Sequence, residues 1–318
     1  MGPLPPGLHF IQAPSERFPA SANMVCARSQ AGLTLLDCGG SGPENHRTTT
    51  EALAALGHAP RDVRRVLLTH AHADHSGGLS LLGPSVEVAL HTHAHPMAGA
   101  ADVFFATFDF ALIRKRYPDP DHPGRQRADS LEHYLARGDC PFQPFTPRAG
   151  LDGPLELAGL AVHPVAGSGH APGHVMFHLP EVKLLVSGDL VGHQLAWHAP
   201  ASGGAAGYLD ALEQAHTLDV TTVWPAHGPP IEDGRAQVTR LRDKLLRRED
   251  KLLAALKTGT RTLHELVLVM IGAGSGEEDI ALFPAVPMLE GHLQRLASAG
   301  RVRLEGGPSA VELRVSLA

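Results

Sequence analysis

The segment THAHADHSGG, residues 69–78, follows directly on the apolar run Val66, Leu67, Leu68 and sets three histidines and an aspartate in the spacing HxHxDH. At a strand end, residues two apart turn to the same side, so His70 and His72 present their imidazoles together, and Asp74 and His75 follow in the turn. The spacing predicts metal ligands, with one cation on the first pair and a second on the other. Although the chain carries 21 His in 318 residues, its residue frequencies give only about 0.005 chance occurrences of this pattern.

A chain of this length with 43% hydrophobic and 19% charged residues has ample material for a buried core. Its net charge of −6 and pI of about 6.4 exclude general electrostatic attraction to nucleic acid or to an anionic membrane, so any such binding must be local. The opening MGPLPPGLHFIQAP has neither a basic nor an apolar leader pattern, and no stretch approaches the roughly 18 apolar residues of a membrane span, which predicts a cytoplasmic protein without membrane contact. Cys26, Cys38 and Cys140 form no CxxC pair, so the metal is expected on nitrogen and oxygen.

Short apolar runs at Leu8–Ile11, Met24–Ala27, Leu33–Leu36, Val66–Leu68 and Val86–Leu90 read as strands, alternating with helical patterns at Glu44–Leu56 and Ser76–Leu82. This is the start of an α/β layer structure. From Pro144 to Leu190 the runs Leu155–Leu157, Leu160–Val165, Val175–Leu179 and Lys183–Ser187 leave no room for helices and predict antiparallel strands. Between them, residues 97–140 carry Phe104, Phe105, Phe108, Phe110, Tyr117 and Tyr134, the pattern of an inserted helical segment covering a site, although these aromatics suit core or a homodimer contact equally. The domain reading is therefore 1–232 catalytic with that insertion, 233–258 a connecting helix and 259–318 a small terminal unit. The connecting helix has a net charge of +5 over 234–258, which suits a solvated face or an RNA contact. The terminal unit reads helix Thr262–Ile271, helix Ala285–Ala299 and strands Arg301–Leu304 and Val311–Val315, the outline of a winged-helix-like α+β unit. Its net charge of −2 argues against duplex binding.

Three further segments bring ligand types to strand ends: GSGHAPGH with His170, SGDL with Asp189 and WPAHGPP with His227. Each has a glycine beside it that permits close backbone approach. With the first cluster they make seven ligands, five imidazoles and two carboxylates, the count for two Zn2+ sharing Asp189, with iron or manganese also compatible with these donors.

Through THAHADH, GH at 169–170, SGD at 187–189 and AHG at 226–228, in that order, the chain resembles the metallo-β-lactamase superfamily over roughly residues 8–231. The resemblance implies an αββα sandwich with the metals at one edge of its sheets. It also implies that His70, His72 and His170 bind one metal, Asp74, His75 and His227 the other, and that Asp189 bridges. Asp189 stands where the antibiotic-hydrolysing members usually place a cysteine, which argues against that activity. The basic helix and terminal unit look like the β-lactamase-like subgroup with such an appendage, which includes endoribonucleases.

Asp37, ending the strand Leu33–Leu36 in LLDCGG, matches a family aspartate and suits an acceptor that orients a ligand histidine, or else a helix N-cap or turn. His174 is expected to contact substrate or buttress a ligand. His193, four residues after Asp189, is expected to face the mouth and act on a substrate oxygen or leaving group. His91, His93 and His95 alternate on a strand end but are not expected to bind the metals.

Two zinc ions about 3.5–4 Å apart generate a bridging hydroxide near pH 7, with Asp74 orienting it. The expected activity is hydrolysis of a small carboxylic ester, thioester or lactone. The alternatives are phosphodiester cleavage of RNA and a mononuclear iron persulfide dioxygenase.

Overall fold

Central strands buried on both faces, with successive residues turned to two different layers, organise the protein into four layers. A computed structural model describes residues 7–13, 21–29, 32–138, 140–272 and 278–318. The first sheet holds β1 (Leu8–Ile11), β2 (Met24–Ser29), β3 (Gly32–Leu36), β4 (Val63–Leu67) and β5 (Glu87–Ala89) in that order. β1–β2 and β2–β3 are antiparallel, and β3–β4 and β4–β5 parallel. The second holds β6 (Leu155–Leu157), β7 (Leu160–Gly167), β8 (His174–Leu179), β9 (Leu184–Gly188) and β10 (Thr222–Pro225). Its pairs are antiparallel except the last, where β10 runs parallel to β9.

Successive strand residues face opposite layers. Val25, Leu36, Leu67 and Ala89 of the first sheet meet Val175, Phe177, Leu179, Leu184, Val186 and Trp224 of the second in one core. Their neighbours Met24, Cys26, Leu35, Val66 and Val88 turn the other way, onto Leu53 of α1 (Pro43–Ala55). Met176 and Leu185 turn outward from the second sheet. They meet Tyr208 and Leu212 of α8 (Gly204–Thr217) and Val238, Leu241 and Leu245 of α9 (Gly234–Leu256). Helix, sheet, sheet, helix is therefore the stacking order, as expected.

After β4 come two single-turn helices, α2 (Ala73–Ser76) and α3 (Leu79–Leu82), where one helix over Ser76–Leu82 was expected. Between them lies Gly78, where a Cβ would lie 2.0 Å from the Cys38 carbonyl oxygen, so only glycine permits this close approach. The insertion is helical as expected, with α4 (His95–Gly99), α5 (Ala101–Ala106), α6 (Phe110–Arg116) and α7 (Pro123–Arg137). Helix α8 was not anticipated from the sequence.

The terminal segment contains β11 (Arg261–Thr262), α10 (Leu263–Ile271), α11 (Glu278–Ser298), β12 (Val302–Glu305) and β13 (Arg314–Leu317), with the strands ordered β11–β13–β12. The last strand starts later than the expected Val311. Residues 309–313 form a turn instead, in which the Leu313 N–H donates to the Ser309 carbonyl and the Ser309 hydroxyl donates to Glu312. Phe110 and Ile113 of α6 and Leu135 of α7 share one core with Leu252 of α9, Leu266 of α10, Leu289 and Leu293 of α11, and Val315. The later helices of the insertion, α6 and α7, thus share a core with the terminal segment, while Met97, Ala98 and Phe104 pack on the first sheet. Among the described residues no helix is long and apolar enough to cross a membrane.

Candidate metal centre

The chain leaves β3, β4, β7, β9 and β10 at the same edge of the sandwich, because β4 parallels β3, β10 parallels β9, and β7 and β9 are both antiparallel to β8. Asp37 follows β3; His70, His72, Asp74 and His75 follow β4; His170, Asp189 and His227 follow β7, β9 and β10. All seven expected ligands converge there.

Three sets have ligand atoms within 4.8 Å of one another: His70, His72 and His170; His70, His75 and Asp189; and Asp74, His75 and His227. His170 Nε2 lies 3.2 Å from His70 Nε2 and 3.0 Å from His72 Nδ1. Asp189 faces both halves of the cluster. Its Oδ2 is 3.0 Å from His170 Nε2, and its Oδ1 is 3.4 Å from His75 Nε2 and 3.5 Å from His227 Nε2. Asp74 Oδ2 lies 3.4 Å from His227 Nε2 and 3.7 Å from His75 Nε2.

The hydrogen bonds behind the cluster decide which nitrogens face its centre. His75 Nδ1 lies 2.9 Å from Asp37 Oδ2, so a donated N–H there leaves Nε2 bare and aimed inward; that Nε2 and Asp189 Oδ1 are buried with no hydrogen-bond partner. The orienting role expected of Asp37 agrees with this contact. Asp37 adopts φ 52°, in the left-handed region, and its carboxylate accepts from both the N–H and the hydroxyl of Thr69, each at 2.8 Å, which offsets the strain. Thr69 Oγ1 in turn lies 3.1 Å from His70 Nδ1, and the Trp197 carbonyl lies 2.8 Å from His170 Nδ1. Each ring donating outward leaves its inner lone pair for a metal.

Electrostatics support the same reading. Burial and neighbouring imidazoles hold His70 well below the usual histidine range, and burial and His170 take His72 down to about 3. The lone pairs of His70 and His72 aimed at one space repel unless a cation lies between them. Burial would also depress His75, but Asp37, Asp74 and Asp189 outweigh it and hold that ring well above its usual value, the pull of three carboxylates on whatever positive charge, proton or metal, sits at Nε2. Burial would raise Asp189, yet His170, His227 and His75 keep it well below the carboxylate range. The orphaned buried atoms, the bare nitrogens and the anionic bridge between them fit divalent cations.

His174 is fully buried, stacked on His70 with centroids 4.7 Å apart, and its Nε2 accepts from the Asp189 N–H at 3.2 Å, so it buttresses ligands and stands behind them. A Cβ on Gly188, which has φ +52°, would meet that Nε2 at 2.6 Å; glycine is required for this approach. His193 corrects the expectation: it is exposed, away from the cavity lining, with Nε2 2.9 Å from the Pro229 carbonyl. Its ring packs against Gly228 and thereby supports the His227 loop from outside. His91, His93 and His95 lie apart from the three ligand sets, His91 beside Asp152 and His95 against the Leu90 carbonyl.

Several supporting residues escaped the sequence reading. Asn23 holds the His227 loop by donating to the carbonyls of Pro225 and Gly228. Tyr208 bonds the backbone of Asp189, Leu190 and Ala196, and buried His198 packs against it. Thr69 was in view as the residue before His70; the others lie in segments without a motif.

A cavity of about 310 Å³ opens on the cluster. His72, Asp74, His170, Asp189 and His227 form one side, and Phe104, Phe108, Leu131, Leu135 and Trp197 the other. Phe108 stacks on His72, with centroids 4.9 Å apart.

Comparison with known proteins agrees with this geometry. The family described as the metallo-beta-lactamase superfamily matches residues 17–227. A probable metallo-hydrolase, YqjP of Bacillus subtilis, is 28% identical over 83% of this chain and 84% of its own length. An atrochrysone carboxyl ACP thioesterase, AacuM of Aspergillus aculeatus, is 28% identical over 74% of this chain and 64% of its own. Among solved structures, a β-lactamase domain protein of Burkholderia ambifaria aligns with TM-score 0.75 at 24% identity, covering 99% of this chain and 93% of that one. A metallo-β-lactamase family protein of Thermus thermophilus aligns at 0.74 and 24%, covering 99% and 100%. With a family match over more than half its length and hydrolases among its relatives, the chain belongs to the metallo-β-lactamase superfamily and is a metal-dependent hydrolase.

Proposed function

We propose that the protein uses two zinc ions to hydrolyse a small carboxylic ester, thioester or lactone. The observation that carries this reading is the cavity: its polar side is the ligand cluster, its opposite side is apolar, and among the described residues no Lys or Arg lines it. Such a wall suits an acyl chain and is poor for a polyphosphate backbone, which needs cations close by. The thioesterase name of several relatives supports the acyl reading.

His70, His72 and His170 would hold one cation, Asp74, His75 and His227 the other, with Asp189 shared. Bound there, the pair supplies Lewis acidity for the acyl oxygen and ionises water near neutral pH. The chain's own groups do the rest. Burial would raise the Asp74 carboxyl, but His75 and His227 hold it ionised, so Asp74 can accept a hydrogen bond from the attacking water and orient it. Phe104, Phe108 and Trp197 exclude bulk water and seat the acyl group. Asp37, through His75, and the Trp197 carbonyl, through His170, fix the imidazoles that face the substrate.

Metal content of protein purified without added metal, measured beside turnover of a thioester, a lactone and a phosphodiester reporter, tests the proposal. About two zinc per chain with ester-class turnover is expected. Phosphodiester turnover alone would move the protein to the nuclease branch, and a single iron with oxygen uptake would overturn the hydrolytic reading of the site.

A further inference from the structure

The basic helix α9 does not present a flat solvated face throughout. Lys244, Arg247, Arg248 and Lys251, spaced i, i+3, i+4 and i+7, share one side of the helix and line a second cavity of about 280 Å³ closed on one wall by Met270. Among the described residues none of the four has a carboxylate partner within ion-pair distance; the nearby acids are engaged elsewhere, Asp243 by Arg242 and Glu249 by His292 and Arg295. Arg248 Nη1 is buried without a hydrogen-bond partner. A buried guanidinium nitrogen left unpaired and crowded by three further cations is costly unless an anion enters. Burial first, and then the neighbouring Arg248 and Arg247, lower the Lys244 ammonium.

We propose that this cavity is a binding site for a small ligand carrying a diphosphate or comparably charged phosphate group, separate from the ligand cluster. Four cations converging on one space exceed what a single carboxylate can satisfy, whereas phosphate oxygens accept from several guanidinium and ammonium donors at once. The volume suits a diphosphate with a short attached moiety against Met270. The site lies beside the catalytic cavity through one loop: Gln194 accepts from Lys244 Nζ at 2.6 Å, while Ala196 and Trp197 of the same loop line the first cavity. An anionic ligand that engages Lys244 therefore acts on the segment whose Trp197 carbonyl orients His170.

Calorimetric titration of the metal-loaded full chain with inorganic pyrophosphate and with ADP, at physiological salt, tests this. Both are expected to bind, and the charge reversals Arg247→Glu and Lys251→Glu, both at exposed positions, should weaken binding ~10-fold or more each. Arg248→Gln should weaken it further, and a His227→Ala protein should retain it, separating this site from phosphate capture at the metals. Absence of binding, or equal binding by the wild type and the exposed-site variants, would overturn the proposal. So would loss in His227→Ala alone. Tight binding of a single-stranded RNA oligonucleotide without binding of either small ligand would also overturn it, in favour of a nucleic-acid surface.

Discussion

The two sides of the catalytic cavity are built by different means. The ligand side is assembled from strand ends of two sheets, and three of its rings have a partner behind them: Asp37 behind His75, Thr69 behind His70, the Trp197 carbonyl behind His170. The apolar side comes from α5–α7 and the loop at Trp197; Phe104 of α5 packs into the core of the first sheet, while α6 and α7 rest on a core shared with α9–α11. One side fixes the reaction and the other sets the substrate. Changes on the first should alter metal binding and rate for every substrate, while changes on the second should discriminate among substrates.

The largest effect is expected from Asp189→Ala, which removes the one carboxylate facing both halves of the cluster. Activity should fall ~10³-fold or more with loss of bound metal, read by elemental analysis and kcat. Asp37→Asn comes next. Asparagine tolerates the left-handed backbone at this position but cannot accept on both oxygens from Thr69 and His75, so metal affinity and kcat should drop roughly 10- to 100-fold for all substrates alike. A drop confined to one substrate would erase the distinction between the two sides.

On the apolar side, Phe108→Ala should raise KM about 10-fold for short acyl substrates with kcat less affected, because it widens the wall against His72, while Leu131→Phe should exclude long acyl chains. Metal content should be unchanged in both. The core beneath that wall has its own test. Glu249 is buried on α9 and accepts from His292 Nδ1 and from Arg295 of α11, the Nε bond being 2.7 Å. Burial would raise its carboxyl, but these partners outweigh burial and hold it below the usual range. A depressed carboxyl stabilises the fold above the unfolded-state value and loses that contribution as pH falls through the folded one. Glu249→Gln should therefore cost about 1–3 kcal/mol near pH 7, with the gap to wild type closing below about pH 4.5 in denaturant titrations.

The same contrast explains what could be read from sequence. Ligands at strand ends were legible because chemistry forces residue type and spacing together: HxHxDH has few other uses, and the apolar runs before His70, Asp189 and His227 marked where the chain turns. Asp37 was legible only through the family resemblance at the end of the strand Leu33–Leu36, where an N-cap was an equal alternative. The cavity wall was legible only as an aromatic-rich insertion. Phe104 and Phe108 face the cavity, but Phe110 and Tyr117 belong to the core with the terminal segment, and helical periodicity cannot tell the two fates apart. Helix α8 was missed because GAAGYLDALEQAHT opens on small residues and glycine, and its helical form depends on burying Tyr208 and Leu212 against the second sheet. Asn23, Tyr208 and His198 act through backbone groups of distant loops, a kind of contact that leaves no spacing in the chain.

His193 gives the smallest expected effect and the sharpest check on reading roles from proximity in sequence. Four residues from Asp189, it still points away, because Gly188–Gly192 turns over the sheet edge and carries the ring to the outside of the His227 loop. Its hydrogen bond, Nε2 to the Pro229 carbonyl, is exposed, and such a bond contributes about 1 kcal/mol or less. His193→Ala should leave the pH–rate profile unchanged and lower kcat by no more than about 3-fold through slack in the His227 loop. Disappearance of an ionisation from that profile would show that His193 reaches the substrate and that the boundary between the reacting side and its outer supports lies elsewhere.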